Sequence, residues 1–148
     1  YGQLARLLHA AGHRVFITGT PAEGAKLVAA SWLRDYKPYL AADLSGEFTL
    51  PEFIAFIAAA DGLVAGSTGP LHLAAALGRH ALGLYPPIRP MHPGRWAPLG
   101  PHADYLVFDR PDCQDCRAQP ALCTCIKAIM LATVAARVSS WQLLPAPR

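Results

Sequence analysis

The sequence DGLVAGSTGPLHLAAALG, residues 61–78, contains the successive features of a β-strand, a tight turn and an α-helix. It opens with a short apolar run of strand length. Gly66 and Gly69 then allow the backbone to turn sharply, because glycine adopts conformations that other residues avoid. Thr68 is a residue type favoured at a helix N-cap, and Gly78 lies where a helix C-terminus favours a left-handed residue. The segment therefore predicts a strand, a turn and a helix that begins next to Thr68.

The predicted turn has the physical properties of an anion site. The first backbone N–H groups of a helix lack partners within the helix and carry positive dipole charge, so they attract phosphate groups. We predict a phosphate or diphosphate at residues 67–72, with five candidate binding residues: Ser67, Thr68, Gly69, Pro70 and His72. The structural alternatives are that Thr68 serves only as an N-cap, that Ser67 is a turn residue and that His72 packs the helix.

Helices and strands alternate along the rest of the chain. Two Thr-x-x-Glu sequences, at residues 20–23 and 49–52, are capping boxes that predict helix starts. Residues 86–101 contain six prolines and predict a long surface loop. The predicted helices cover residues 3–11, 21 to about 33, 49–60, 70–77 and 126 to about 143. The predicted strands cover residues 14–18, a short stretch within 38–43, and residues 63–65, 81–85 and 105–108. This alternation predicts an α/β fold with a doubly wound, Rossmann-like parallel sheet.

The candidate site lies where such folds bind ligands. Ligands of open parallel sheets bind beyond the carboxyl ends of the strands. Residues 19–23, 67–72 and 86–96 each follow a predicted strand. We therefore expect these three segments to lie at one edge of the sheet, although they are far apart in the sequence.

The composition describes one globular domain and excludes several classes of protein. The chain has 148 residues, of which 53% are hydrophobic, too many for a disordered segment. Its formal net charge is +3 without a Lys/Arg stripe, so we expect no nucleic-acid partner. No apolar run approaches the roughly 20 residues of a membrane span. The sequence also lacks a P-loop, a dinucleotide Gly-x-Gly-x-x-Gly motif and a Gly-x-Ser-x-Gly nucleophile elbow.

Four cysteines lie within thirteen residues near the C-terminus: Cys113, Cys116, Cys123 and Cys125. Cys-x-x-Cys followed by Cys-x-Cys is a reasonable spacing for a tetrahedral zinc site, because four thiolates can complete it. Free or partly paired thiols are the alternative, and disulfides are in general rarer in cytosolic proteins than in secreted ones. The cluster is therefore a candidate structural zinc site.

Several of these segments together resemble glycosyltransferase family 9, the ADP-heptose:lipopolysaccharide heptosyltransferases. The segment STGPLHLAAALG, residues 67–78, is similar to the family signature, although Ser67 stands where the family usually has Asp. The other similar segments are GHRVFITGTPAE at 12–23, LGLYPP at 82–87, RWAPLG at 95–100 and the cysteine region. The resemblance covers most of the chain.

The resemblance implies that the chain is the C-terminal, donor-nucleotide half of a two-domain GT-B glycosyltransferase. The family transfers a heptose from an ADP-sugar to a lipopolysaccharide core acceptor with inversion. We expect no required cofactor, because the helix start and basic groups neutralise the diphosphate. Glu23 resembles an acidic residue that approaches the nucleotide, although the capping box accounts for it fully without a ligand. The resemblance also implies a cytoplasmic location with at most peripheral contact with the inner membrane.

The resemblance further implies parts that this chain does not contain. The first residue is Tyr1 rather than Met. We expect two parts to be absent: the N-terminal domain, which supplies the catalytic base and binds the lipopolysaccharide or other glycan acceptor, and the first strand of the C-terminal domain, with its phosphate-binding lysine. We therefore expect residues 1–148 alone to be inactive. Two alternatives stay open: a non-catalytic, degenerate nucleotide-sugar-binding module, and another GT-B enzyme that uses a UDP-sugar.

Overall fold

The computed structural model describes residues 1–89, 91–108, 110, 113, 116, 118–119 and 122–145. Within these residues, α-helices and strands alternate as the sequence predicts. The helices are α1 (Gly2–Ala10), α2 (Pro21–Ala29), α3 (Trp32–Tyr36), α4 (Leu50–Ala59), α5 (Gly69–Ala76), α6 (Pro93–Trp96) and α7 (Leu131–Ser139). The strands are β1 (Phe16–Ile17), β2 (Ala42–Asp43), β3 (Gly62–Ala65), β4 (His80–Tyr85) and β5 (Ala103–Val107). Short 3₁₀-helices cover Lys37–Tyr39 and Cys125–Ala128.

The strands form two parallel ladders. β1 pairs with β2, and β3, β4 and β5 pair in that order. Parallel neighbours require crossover connections, and α5 supplies the one between β3 and β4. Ala65 is in register with Gly83, so the carboxyl ends of β3 and β4 lie side by side at one edge. The parallel pairing confirms the α/β fold class.

The strand β4 is the centre of the core, because it is buried along its whole length. Alternate side chains of a strand point to opposite faces of the sheet. Leu82 and Leu84 pack in a cluster with α1 and α7, whereas Ala81 and Tyr85 pack in a cluster with α4 and α5. Helices therefore cover both faces of this sheet, which is the doubly wound arrangement.

The helix predicted from residue 21 to about residue 33 is in fact two helices. α2 ends at Ala29, and Ser31 adopts a left-handed conformation with φ 56°. A residue in that conformation cannot continue a right-handed helix, so a separate helix, α3, begins at Trp32.

Other boundaries also differ from the prediction. The closing helix begins at Leu131 rather than residue 126, because Ile129 and Met130 have extended backbone with ψ 124° and 120°. The proline-rich loop contains the short helix α6, since Pro93 occupies a first-turn position that tolerates proline. β5 begins at Ala103 rather than residue 105, where its pairing with β4 starts. In the described part of the chain, no helix is long and apolar enough to cross a membrane.

Candidate functional site

The turn after β3 leads directly into α5. Thr68 is the N-cap residue of α5, as predicted, but its side chain makes no capping hydrogen bond to the helix. The Thr68 hydroxyl instead donates to the Gly66 carbonyl over 3.4 Å, which is a long and weak hydrogen bond. The first-turn N–H groups of α5 therefore receive no side-chain cap from Thr68, and they lie at the carboxyl edge of the sheet.

The N-termini of α2 and α4 are closed by the predicted capping boxes. In α2, the Glu23 backbone N–H donates to the Thr20 hydroxyl at 3.3 Å, and the Thr20 backbone N–H donates to the Glu23 carboxylate at 2.8 Å. In α4, the backbone N–H and the hydroxyl of Thr49 donate to the Glu52 carboxylate at 2.8 and 2.6 Å. These hydrogen bonds from Thr20 and Thr49 lower the pKa of Glu23 and of Glu52, respectively. The first turn of α5 has no equivalent box.

An open cleft of about 560 Å³ lies against the uncapped turn, a volume within the range of small-molecule sites. Its lining consists of Gly66, Ser67, Thr68, Gly69 and His72 from the turn and α5, Leu84 and Pro86 at the end of β4, Met91 and Trp96 from the proline-rich loop, and Ile126. The structure therefore brings together two of the three predicted segments, 67–72 and 86–96. The described lining contains no carboxylate, which suits an anionic ligand.

Four of the predicted donor-binding residues line this cleft, and two do not. Ser67, Thr68, Gly69 and His72 are in the lining. Pro70 occupies the first turn of α5 and is half-buried. Glu23 is exposed and lies outside the lining, with its carboxylate accepting hydrogen bonds from the backbone N–H and hydroxyl of Thr20. The geometry thus gives Glu23 a capping role and leaves its approach to a nucleotide a prediction.

Tyr85 is a site residue that the sequence did not reveal. It ends β4 with its side chain fully buried, and its hydroxyl donates to the Trp96 carbonyl. Burial raises the pKa of Tyr85, and a side-chain hydrogen bond with Ser67 acts in the opposite direction. The hydroxyl therefore stays protonated at neutral pH and joins the turn after β3 to the proline-rich loop.

The sequence contains one signal for this role of Tyr85, the glycine at position 83. A glycine inside a buried strand often marks a close approach by another group. A Cβ atom on Gly83 would lie 2.3 Å from Tyr85 Cε2 and 3.1 Å from Leu71 Cδ2. Gly83 therefore provides the space that the ring of Tyr85 occupies beneath α5.

The proline-rich loop places an aromatic ring and a cation at the cleft. His92 caps α6, because its Nδ1 accepts from the Gly94 backbone N–H at 3.0 Å. The Arg95 guanidinium lies over the Trp96 ring, with its Cζ 5.1 Å from the ring centroid. Trp96 lines the cleft, so the exposed charge of Arg95 is held next to it.

The structure does not group the four cysteines as ligands of one zinc ion within the described residues. All four are free thiols; Cys113 is buried, whereas Cys116, Cys123 and Cys125 are half-buried. Within the described residues, no three His, Cys, Asp or Glu side chains are grouped as metal ligands. A tetrahedral zinc site needs all four sulfurs at about 2.3 Å from one ion. The observed arrangement therefore fits the alternative of free thiols, which the sequence had left open.

Comparisons with known proteins agree with this fold. The sequence pattern of glycosyltransferase family 9 (heptosyltransferase) matches residues 1–126. A Haemophilus influenzae protein provisionally named a glycosyltransferase is 40% identical over 62 residues, which are 42% of this chain and 18% of that protein.

Two solved structures share the fold. The E. coli ADP-heptose lipopolysaccharide heptosyltransferase II superposes with a TM-score of 0.68 at 24% identity over 95% of this chain. A glycosyl transferase family 9 protein from Veillonella parvula superposes with a TM-score of 0.68 at 18% identity, also over 95% of this chain. The matched regions are 40% and 39% of those two chains, so this chain spans about two fifths of each structural relative.

Proposed function

The chain belongs to glycosyltransferase family 9, and on that basis we propose that its cleft binds the diphosphate of a nucleotide-sugar donor. The whole protein would be a glycosyltransferase like the heptosyltransferases, transferring a heptose from an ADP-sugar to a lipopolysaccharide core or another glycan acceptor. One observation carries the proposal: the first turn of α5 has no side-chain cap from Thr68 and opens into a cleft whose described lining contains no carboxylate.

In this proposal, residues 1–148 bind the anionic diphosphate and stabilise it as the leaving group. The Gly69 backbone N–H would donate to a phosphate oxygen, since Pro70 beside it has no N–H to offer. The Thr68 hydroxyl has only a long hydrogen bond to give up and would donate to the same group. His72 would donate as negative charge builds on the departing nucleotide. These hydrogen-bond donors and the dipole of α5 would stabilise the negative charge of the diphosphate, so we propose that the step needs no metal.

We further propose that residues 1–148 are the donor-binding C-terminal domain, without its first strand. Within the described residues, β1 pairs only with β2 and β3 pairs only with β4, so each has one unpaired edge. Tyr1 Oη lies near Gly66, which places the start of α1 at the same carboxyl edge as the start of α5. A parallel strand preceding α1 would therefore end at this edge and could join the two ladders.

The remaining parts of the reaction belong to the rest of the protein. An N-terminal domain would bind the acceptor and supply the general base that activates its hydroxyl group. Residues 1–148 alone would then catalyse no sugar transfer. We place the whole enzyme in the cytoplasm, with at most peripheral contact with the inner membrane where its acceptor would lie.

Calorimetric titration of the full-length protein with ADP, UDP and GDP tests this proposal. The matched variants are Gly69→Ala and Gly78→Ala, at opposite ends of α5. An added Cβ meets nothing within 4 Å at either position, but Gly78 has φ +68° and Gly69 lines the cleft. Gly78→Ala should therefore strain the backbone by roughly 1–2 kcal/mol without changing nucleotide affinity.

The expected result is ADP-selective binding that Gly69→Ala weakens at least about tenfold, or roughly 1.4 kcal/mol. Tighter binding of UDP would instead indicate a GT-B enzyme with a UDP-sugar donor. Failure of all three nucleotides to bind the full-length wild-type protein would contradict the proposal.

A degenerate, non-catalytic module is the second candidate function, and one observation favours it. Ser67, at the position where the family usually has Asp, makes a hydrogen bond with Tyr85 rather than offering a carboxylate to the cleft. Ser67→Asp in the full-length protein separates the two candidates in a sugar-transfer assay. A large gain in turnover would indicate that the natural protein has lost catalytic activity, as the degenerate module requires. A loss of turnover would indicate an active enzyme whose site is adapted to serine.

A further inference from the structure

Tyr85 occupies a position from which it contacts three parts of the molecule at once. Its ring lies in the core cluster with Leu71 of α5 and meets the ring of Tyr105 on β5 edge-on, with ring centroids 6.1 Å apart. The absence of a side chain at Gly83 leaves the space for it. The ring is therefore held firmly by packing, and its hydroxyl is directed to a fixed place at the carboxyl edge.

That hydroxyl joins the two walls of the cleft. It donates to the carbonyl of Trp96, and it makes a side-chain hydrogen bond with Ser67. Trp96 and Ser67 both line the cleft, one from the proline-rich loop and the other from the turn before α5. A phenol can do this because its oxygen accepts one hydrogen bond while its proton is donated in another.

We propose that Tyr85 is a positioning residue that sets the separation of these two walls and thereby prepares the cleft for its ligand. This inference rests on the proposed function for the identity of that ligand. Without the hydroxyl, the Trp96 carbonyl and the Ser67 hydroxyl each lose a hydrogen-bond partner, and this link between the two walls is lost. The bound nucleotide would then have to order both walls, which weakens its binding.

The same geometry limits what Ser67 can offer a ligand. The proton of Tyr85 goes to the Trp96 carbonyl, so the Ser67 hydroxyl must donate in its hydrogen bond with Tyr85. Toward the cleft, the Ser67 oxygen can then only accept a hydrogen bond. Ser67 is therefore suited to a hydroxyl group of the donor rather than to a phosphate oxygen, which Thr68 and the α5 N-terminus would bind.

The test compares Tyr85→Phe with Tyr105→Phe in the full-length protein. Both variants remove one phenol hydroxyl from the same aromatic pair, but Tyr105 is exposed and lies outside the lining of the cleft. Amide hydrogen exchange is measured across the chain, and ADP affinity is measured by calorimetry. Ser67→Ala, at an exposed position, provides a second variant that should fold even if Tyr85→Phe does not.

In Tyr85→Phe, we expect exchange to rise roughly three- to tenfold in both residues 66–72 and residues 91–97, with α1 unchanged, and ADP affinity to fall by a similar factor. Ser67→Ala should loosen residues 66–72 alone, and Tyr105→Phe should match the wild type. Unchanged exchange in both walls, or a uniform rise across the whole chain, would overturn the proposal. A third outcome separates the two proposals: exchange rises in both walls of Tyr85→Phe, but the wild-type protein binds no nucleotide. That outcome would support the positioning role of Tyr85 and refute the proposed function.

Discussion

At the scale of single residues, the same amino acid has two different roles in this chain. Thr20 and Thr68 are both N-cap residues, but only Thr20 accepts a hydrogen bond from the helix that it begins. The difference is visible in the sequence three residues later. Glu23 completes the capping box of α2, whereas Leu71 stands at the equivalent position of α5 and is buried in the core. The first turn of α5 therefore lacks the carboxylate half of a capping box.

Alanine substitutions at the two threonines should separate stability from binding. Thr20→Ala should lower the free energy of unfolding by about 1 kcal/mol, the usual cost of losing an N-cap, and leave nucleotide affinity unchanged. Thr68→Ala should lower the free energy of unfolding much less and weaken ADP binding severalfold, because Thr68 lines the cleft. Urea unfolding and calorimetry of the full-length variants measure both quantities. An equal loss of stability in the two variants would show that Thr68 is a structural cap.

The sequence predicted only those site residues whose residue types and spacing are typical of a strand–helix turn. The turn drew attention to Ser67, Thr68 and Gly69, because glycine, proline and hydroxyl residues at a strand–helix junction favour an open helix start. Tyr85 was missed because a tyrosine at the end of an apolar strand looks like a core residue. Its role depends on the carbonyl of Trp96. The Trp96 carbonyl reaches the Tyr85 hydroxyl because of the way the proline-rich loop folds back. The spacing of hydrophobic residues in the sequence does not predict that fold.

At the scale of elements, the helices were predicted better than their ends. The capping boxes located the starts of α2 and α4, because the Thr and Glu side chains bond their own backbone regardless of tertiary context. The left-handed Ser31 that ends the first helical stretch had no such signal, since serine is not a residue type that favours that conformation. Helix ends that depend on local side-chain hydrogen bonds were predictable from the sequence, whereas the helix end at Ser31 was not.

The two capping boxes should make the protein sensitive to acid. Hydrogen bonds from Thr20 and Thr49 hold the pKa values of Glu23 and Glu52 below the ordinary 4.5. A carboxylate with a lowered pKa contributes stability that is fully present above the ordinary value and is lost as the pH falls through the lowered one. The variant with both Glu23→Gln and Glu52→Gln should therefore melt below the wild type at pH 6, and the difference should shrink towards pH 3.

Thermal melts of the full-length protein between pH 6 and pH 3 measure this difference. Gln keeps the size of the side chain and a carbonyl acceptor while removing the negative charge. A gap in melting temperature that stays constant over this range would show that the charge of the two carboxylates contributes nothing.

At the scale of the whole molecule, the two ladders are the feature that local sequence did not reveal. The alternating elements predicted one parallel sheet, and the described strands form a pair and a triplet. β3 is only half-buried, whereas its neighbour β4 is buried throughout. This difference is expected of a strand with one unpaired edge, and it supports the proposal that a further strand completes the sheet.

A longer chain that includes the segment before Tyr1 should therefore be more stable than residues 1–148. An added strand that buries one large apolar side chain gains roughly 1.5–3 kcal/mol, so the free energy of unfolding should increase by an amount of that order. Urea unfolding of both chains measures it, with a scrambled segment of equal length as the control. Equal stability of the native and scrambled extensions would refute the missing strand.

Binding of a nucleotide-sugar diphosphate at the N-terminus of α5 is the central claim. The most direct test is a crystal structure of the full-length protein with ADP. We expect phosphate oxygens within hydrogen-bond distance of the Gly69 backbone N–H and the Thr68 hydroxyl, with His72 facing the same group. ADP bound elsewhere on the protein, with the first turn of α5 still empty, would contradict it.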